Sequence, residues 1–359
     1  MSKRIKKIVC LGGGTGVSVV LVGLKKYLVD LTAIVTMFDS AGSSGKLRKE
    51  LDILPLGDVR QCLIALSNEK ELTPLLNYRF GKGGLKGHNF GNLLIAALIG
   101  VTGSLKGAID KIIKILNIKG KVIPVTLEKA DLVAVLKNNQ KIKEEEKIIN
   151  CPFVSKIGIR KLFLAPKVKA NPKAISAIRS ADLIVIAPGK FYTSILPIFL
   201  VKGISEAVRK SRAKKVFVCN LMTQVGNTDG FGVEDFSTIL EKYLGKSVTR
   251  ARRSRAKGED GGKLRRRQTS STIDWVIFNT GKLSTGQTKT VKKVFPGADF
   301  IKYDKNLLTR ENFVGVDVID RQIRKLDPAD ILVKRANKRT MILHYPNKLA
   351  KVILKLCRQ

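Results

Sequence analysis

The stretch Ile8-Val9-Cys10-Leu11-Gly12-Gly13-Gly14-Thr15-Gly16 decides the fold. Four apolar residues break into a run of glycines with one threonine. The segment behind them, Val17–Tyr27, carries apolar side chains at Val17, Val20, Leu21 and Leu24. That spacing predicts a helix, so a buried strand feeds a glycine turn that opens a helix capped by Gly14 or Thr15. Glycines let backbone N–H groups converge with no Cβ in the way, and the helix N-terminus adds positive partial charge. Together they make a site for an anion, most often a nucleotide phosphate. The spacing departs from the dinucleotide pattern G-x-G-x-x-G.

The same alternation runs along the chain. Further strands are predicted at Thr32–Phe38, Leu183–Ala187, Lys215–Asn220 and Trp275–Asn279, with amphipathic helices between them, such as Asp58–Leu66, Gly91–Leu98, Leu105–Leu116, Pro172–Ser180 and Gly203–Arg212. Short apolar strands alternating with helices imply an α/β fold, a mostly parallel sheet with helices on both faces. Residues 121–164 read as a small β-rich insertion, with strand-like pieces at Val122–Val125, Leu132–Leu136, Lys141–Lys143 and Leu162–Leu164. The whole chain, 1–359, reads as one large domain. Residues 246–270 stand apart: Lys246–Arg267 holds ten basic and two acidic residues and almost no large apolar side chains, which predicts a mobile basic loop.

Composition narrows the function classes. Sixty-seven Lys and Arg against 29 Asp and Glu give a net charge of +38, which makes a polyanion such as nucleic acid a plausible partner. Most lysines fall on the polar faces of amphipathic helices, however, and aromatics are only 6% of the chain, so no stacking platform for single strands is evident. No run approaches the ~18 apolar residues of a membrane span. The five scattered cysteines lack metal-ligand spacing, and Cys10 and Cys219 sit in apolar strand runs as core residues. A reduced, cytoplasmic protein is expected.

Parallel sheets bind ligands beyond the carboxyl ends of their strands, and the polar clusters of this chain fall there. Asp39 follows the second strand and leads into Ser43, Ser44 and Gly45, a carboxylate for ribose hydroxyls or a cation beside donors for phosphate. Asp58 reads on spacing as a helix N-cap. Gly87-His88-Asn89-Phe90-Gly91-Asn92 places a histidine between glycine and asparagine at a helix start, for structure or for acid–base work alike, with Asn92 as a cap or a reader of a base edge. Gly189, Thr193 and Ser194 follow another strand, the two hydroxyls placed to cap the next helix. Asn220, Thr223 and Gln224 follow the next, neutral groups suited to a sugar or a base.

Gly-Gly-Gly-Thr-Gly (12–16), Ser-Ser-Gly-Lys-Leu-Arg (43–48), Gly-Asp-Val-Arg-Gln-Cys-Leu (57–63), Gly-His-Asn-Phe-Gly-Asn-Leu (87–93), Ala-Pro-Gly-x-x-Tyr-Thr-Ser (187–194) and Cys-Asn-Leu-Met-Thr-Gln (219–224) occur in this order. In that set the chain resembles the bacterial gluconeogenesis factor family, relatives of 2-phospho-L-lactate transferase. The resemblance spans residues 6–357 and implies a Rossmann-like fold that binds UDP-N-acetylglucosamine or UDP-glucose. It further implies a regulator linking carbon metabolism to cell-wall synthesis and cell shape, with no required cofactor and a protein partner in one of those processes; the sequence leaves the choice between monomer and homo-oligomer open. By the match, Gly12, Gly13, Gly14, Thr15, Gly16, Asp39, Ser43, Ser44, Gly45, His88, Asn89, Asn92, Gly189, Thr193, Ser194, Asn220 and Gln224 line the pocket. The alternative it implies is a transferase using a nucleotide-activated donor and Mg²⁺, with Asp58 as the metal-linked carboxylate. Two departures stand out. The family motif Asp-Asp-Gly-Gly-Ser-Ser-Gly reads Asp39-Ser40-Ala41-Gly42-Ser43-Ser44-Gly45 here, which removes one carboxylate from a cation site and places Ala41 where a glycine would allow positive φ. The basic insertion is the other, and it leaves room for an extra partner.

Overall fold

The computed structural model describes residues 4–69, 71–245, 247–248, 269–323 and 342–358. Its frame is a seven-stranded sheet, parallel throughout. The strands are β1 (Lys6–Gly12), β2 (Val29–Val35), β3 (Lys121–Pro124), β7 (Leu183–Ile186), β8 (Lys214–Val218), β11 (Trp275–Asn279) and β12 (Phe313–Val316), in the order β12-β11-β8-β7-β1-β2-β3. The chain lays down β1, β2 and β3 in one direction, returns to the far side of β1 for β7, and proceeds outward again. Ile8–Leu11 of β1 pair with Leu183–Ile186 of β7, and all eight residues are buried. Each such side chain removed from water contributes about 1.5–3 kcal/mol, so this seam is the core of the molecule.

Helices pack against the sheet: α1 (Gly14–Leu24), α2 (Gly42–Glu50), α3 (Gly57–Leu66), α4 (Leu72–Asn77), α5 (Phe90–Thr102) and α6 (Leu105–Ile115). Their apolar stripes set the contacts, as in α6, where Ala108, Ile109 and Ile112 are buried and Lys106 pairs with Asp110 in solvent. A second, antiparallel sheet joins β4 (Asp131–Leu136) to β5 (Lys141–Lys143) and to β6 (Ile159–Ala165). Between β5 and β6 lies the short helix α7 (Glu145–Asn150). No single helix among the described residues is long and apolar enough to cross a membrane.

Several expectations shift. The segment 121–164 divides: Lys121–Pro124 is an edge strand of the main sheet, a place that tolerates the missing N–H of Pro124, and only the later strands form the small sheet. The main sheet gains Phe313–Val316 as its other edge, a four-residue, half-buried strand too short to read as a pattern. The first helix begins one residue early, with Gly13 at its N-cap, and Thr15 caps nothing. Gly42–Glu50 forms a helix, and Ala41 before it takes φ −103°, so alanine causes no strain there. Within the basic segment 246–270 only β9 (Ser247–Val248) and β10 (Thr269–Ser270) are described, as a two-stranded antiparallel ladder. The expected mobile loop otherwise lies outside the described residues.

The closing helix Pro346–Leu356 packs on α1 through Leu349, Ala350 and Ile353. The approach is close: a methyl at Gly23 would strike the carbonyl of Pro346 and sit against Ala350. Gly23→Ala should therefore lower stability by about 1–3 kcal/mol, read as a lower urea midpoint at unchanged slope. An unchanged midpoint would mean that the two helices do not meet as described.

Candidate functional site

Where strand order reverses, the loops after β1 and β7 diverge and no crossover covers them. A cleft of about 300 Å³ opens there. Its floor is Gly13, Gly14, Thr15 and Gly16 from the first turn of α1, and Pro188, Gly189 and Lys190 after β7. Thr36 and Asp39 come from the loop after β2, Asp58 and Gln61 from α3. Asn220, Thr223 and Gln224 follow β8, and His344 closes one side. Glu145, Glu146, Ile149 and Asn150 of α7 form the opposite rim.

The glycine loop does not stand open to solvent. Gly14 takes φ +59°, a conformation that favours glycine, and the Asp58 carboxylate lies close against Gly13 and Gly14. Any side chain at Gly13 would collide with that carboxylate. Asp58 is thus not the expected N-cap, since Leu56 holds that position; from the first turn of α3 it reaches across to the N-terminus of α1. Removal from water, with Asp39 and Glu145 nearby, pushes its pKa up to about 7, against the opposing pull of Lys190 and the Gly14 N–H.

Lys190 is the one lysine or arginine among the described residues lining the cleft. Its Nζ pairs with Glu145 Oε1 at 2.9 Å, and Glu145 is only 2% exposed. Burial alone would lower the lysine's pKa, yet Glu145, Asp39 and Asp58 together hold it above the ordinary value. Glu144, which leads into Glu145, sits at φ +81°, an arrangement that costs on the order of 1–3 kcal/mol for a residue with a side chain. Docking of α7 is fixed from the other side by Ser40, whose Oγ accepts from the Glu146 N–H at 3.0 Å.

Two residues that line this cleft, Thr36 and Thr193, hold Oγ1 hydroxyls with no hydrogen-bond partner, and both residues are 2% exposed. A buried hydroxyl without a partner costs about 1–3 kcal/mol. Asn220 clamps the floor, accepting from Gly189 N–H at 3.3 Å and donating to its carbonyl at 2.7 Å. Thr223 is spent on the backbone of Asp299. The Thr193 and Ser194 hydroxyls cap no helix; their backbone N–H groups donate to the Lys190 carbonyl, on which the Ile195 N–H closes a π-turn.

The structure thus brings Gly13, Gly14, Thr15, Gly16, Asp39, Asp58, Gly189, Thr193, Ser194, Asn220, Thr223 and Gln224 to one cleft. It sets Gly12, Ser43, Ser44, Gly45, His88, Asn89 and Asn92 outside the cleft lining. Ser43 Oγ accepts from Asn89 N–H and Ser44 Oγ from Gly57 N–H. Asn89, not Asn92, caps α5, while Asn92 accepts from buried Arg60. This network braces the N-termini of α2, α3 and α5 behind the cleft. His88 is buried there, its Nδ1 without a hydrogen-bond partner.

Sequence reading missed Thr36, Gln61, Glu145 and Lys190, and gave His344 no role. His344 Nε2 lies 3.1 Å from the Cys219 carbonyl, and burial lowers its pKa to about 4, leaving it neutral at pH 7. For Lys190 a signal existed, a lysine directly after Pro-Gly at a strand end. Among the described residues no three His, Cys, Asp or Glu side chains gather in a geometry that holds a metal ion.

Comparison with known proteins places these features in a lineage. The sequence matches the family described as 2-phospho-L-lactate transferase CofD over residues 8–323. It is 46% identical to the gluconeogenesis factor of Halalkalibacterium halodurans over 246 residues, 68% of this chain and 75% of that protein. A Thermoanaerobacterium thermosulfurigenes protein carrying the same family name is 47% identical over 352 residues, 98% of this chain and 96% of its own. A crystal structure of a Bacillus halodurans protein superimposes with a TM-score of 0.80 at 33% identity, covering 98% of this chain and all of that one.

Asp58 has a stability signature. Its folded pKa of about 7 lies above the ordinary 3.8, so between these values the folded state binds more protons than the unfolded chain. Stability contributed by the group falls as pH rises through that window. Asp58→Asn keeps an acceptor for Gly14 and removes the charge from beside Asp39 and Glu145. It should be more stable than the parent by a few kcal/mol at pH 8, with the gap closing toward pH 4 in urea titrations. A gap independent of pH would contradict the cluster.

Proposed function

This chain belongs to the gluconeogenesis factors of the 2-phospho-L-lactate transferase CofD family, and we propose that it works there as a UDP-sugar-binding regulator, acting by binding rather than turnover. The observation that carries this reading is that two residues lining the cleft at the strand-order reversal, Thr36 and Thr193, keep buried hydroxyls with no hydrogen-bond partner. Unsatisfied hydroxyls on residues that line a small-molecule cleft are groups that a polar ligand would satisfy.

The ligand's two halves match the two kinds of wall. Lys190 and the N-terminus of α1 offer positive potential to a diphosphate. Asp39 and Asp58 accept from sugar or ribose hydroxyls, and Asn150 and Gln224 add neutral amides. The apolar side chains of Ile149, Leu221, Met222 and Phe295 supply surface for a base. Occupancy would tie the α7 rim to the loops after β7 and β8 and so alter a surface read by a protein partner in carbon metabolism or in the wall synthesis that sets cell shape. The family's name favours a second reading, a phospholactate-type transferase. Metal-dependent product formation from a nucleotide-activated donor would distinguish it.

UDP-N-acetylglucosamine or UDP-glucose at about 100 times its Kd should stabilise the protein by about 2.7 kcal/mol, more than UDP does and more than an oligonucleotide. Thr36→Val and Thr193→Val should leave the unliganded protein as stable or more so, and weaken the UDP-sugar by about 5- to 30-fold each in calorimetric titrations. Absence of any UDP-sugar shift at millimolar ligand in the folded protein would end this reading.

A further inference from the structure

Of the chain's two histidines, His344 alone lines the cleft, and it is 5% exposed. Its backbone is held on both sides. Ile319 and His344 form an antiparallel bridge, the Tyr345 N–H donates to the Val318 carbonyl at 2.7 Å, and the Asp320 N–H donates to the Leu343 carbonyl at 2.8 Å. The ring is held as well. Its Nε2 lies 3.1 Å from the carbonyl of Cys219, the residue that follows β8. A carbonyl oxygen only accepts, so Nε2 carries the proton of that hydrogen bond.

The consequence falls on the other nitrogen. A neutral imidazole holds one N–H, so with the proton on Nε2 the Nδ1 is a bare acceptor. Burial keeps the ring neutral by lowering its pKa to about 4, although the Cys219 hydrogen bond pulls the other way. Among the described residues Nδ1 has no hydrogen-bond partner. The wall beside it is apolar. Leu221, Met222 and Ile342 belong to one buried cluster with Ala298 packed against it, and all four line the cleft. Lys190 and the N-terminus of α1 serve the phosphates, which leaves this wall and its acceptor to the base.

We infer that His344 chooses the base of the bound nucleotide: its Nδ1 accepts from the ring N–H on the pairing edge of uracil or guanine, and rejects cytosine or adenine, whose ring nitrogen there is itself an acceptor. This rests on the nucleotide reading above and adds a requirement that reading does not contain. The discrimination is one of hydrogen-bond direction, not of size. Against cytosine, two lone pairs meet in a buried site and neither finds a proton. A hydroxyl at this place would rotate to donate or to accept and would not separate these bases. An imidazole pinned at Nε2 has no such freedom. His344 is therefore a specificity-determining residue, and the Cys219 carbonyl is what fixes its tautomer.

The test is calorimetric titration of the full chain with UDP, CDP and N3-methyl-UDP, in which a methyl group replaces the donor hydrogen. The parent should bind UDP about 10- to 100-fold more tightly than either analogue. His344→Phe should bind UDP more weakly than the parent does, and no better than it binds CDP. Equal binding of UDP and either analogue by the parent overturns the inference, and so does a preference for UDP that survives in His344→Phe. Where His344→Phe does not fold, ¹⁵N NMR of the parent decides, since two histidines give a sparse spectrum. Free His344 should carry its proton on Nε2 at pH 7, and saturating UDP should move the Nδ1 resonance where saturating N3-methyl-UDP does not. A proton on Nδ1, or an Nδ1 resonance indifferent to UDP, overturns the inference. A parent that binds neither these nucleotides nor UDP-N-acetylglucosamine at millimolar concentration ends the nucleotide reading and this inference with it. Binding without a preference among bases ends this inference alone.

Discussion

The pairing of β1 with β7 is the constraint on which the rest depends. These strands are neighbours in the sheet but far apart in the chain, and the connections on either side of them run in opposite directions. Right-handed crossovers then leave the space above their carboxyl ends uncovered. Both strands are buried along their whole pairing, so neither their register nor their side chains have much freedom. Everything at the cleft floor follows from that fixed edge. Gly13 and Gly14 are carried on one strand end and Gly189 on the other, and Asn220 at the end of β8 holds Gly189 in place.

The small antiparallel sheet completes what the parallel sheet opens. It presents α7 to the cleft, with Ser40 holding one end of the helix and Lys190 the side chain of Glu145. A carboxylate this buried is costly to keep charged without a partner, so the insertion and the cleft floor stabilise each other's charges. The strained backbone at Glu144 belongs to the same arrangement, since it aims the next residue inward.

Much of this was legible in the sequence, for a physical reason: a strand feeding a glycine turn and a helix is local, and its apolar spacing shows within twenty residues. The sheet edges were not, because Lys121–Pro124 and Phe313–Val316 are short and their placement is set by neighbours distant in sequence. The motif residues divide instructively. Ser43, Ser44, Asn89 and Asn92 are polar, glycine-flanked and clustered, which is how ligand-binding residues read, yet their hydrogen bonds go to one another and to helix N-termini. Residue type alone does not separate a donor to a ligand from a donor to backbone. Glu145 was hidden for the opposite reason. It sits in the charged run Lys141-Ile142-Lys143-Glu144-Glu145-Glu146-Lys147, and contacts distant in sequence turn it inward: Ser40 takes the Glu146 N–H across 106 residues and Lys190 meets the Glu145 carboxylate across 45.

Charge acts on two scales in this molecule, and they have opposite signs. The chain as a whole carries +38, a field that raises the local concentration of any anion and quickens its encounter. Among the described residues, the cleft that an arriving anion would enter is lined with four carboxylates, those of Asp39, Asp58, Glu145 and Glu146, against one lysine. Long-range attraction is screened within about 8–10 Å at physiological salt, whereas interactions inside the cleft are screened far less. The field therefore gathers anions without choosing among them, and the choice falls to the cleft. A bare phosphate finds carboxylates there, while a phosphate bearing hydroxyl-rich sugars brings donors for them and leaves its own charge to Lys190 and the helix end. Under the proposed function, selectivity for a glycosylated nucleotide over a simple polyanion is the expected consequence of this arrangement.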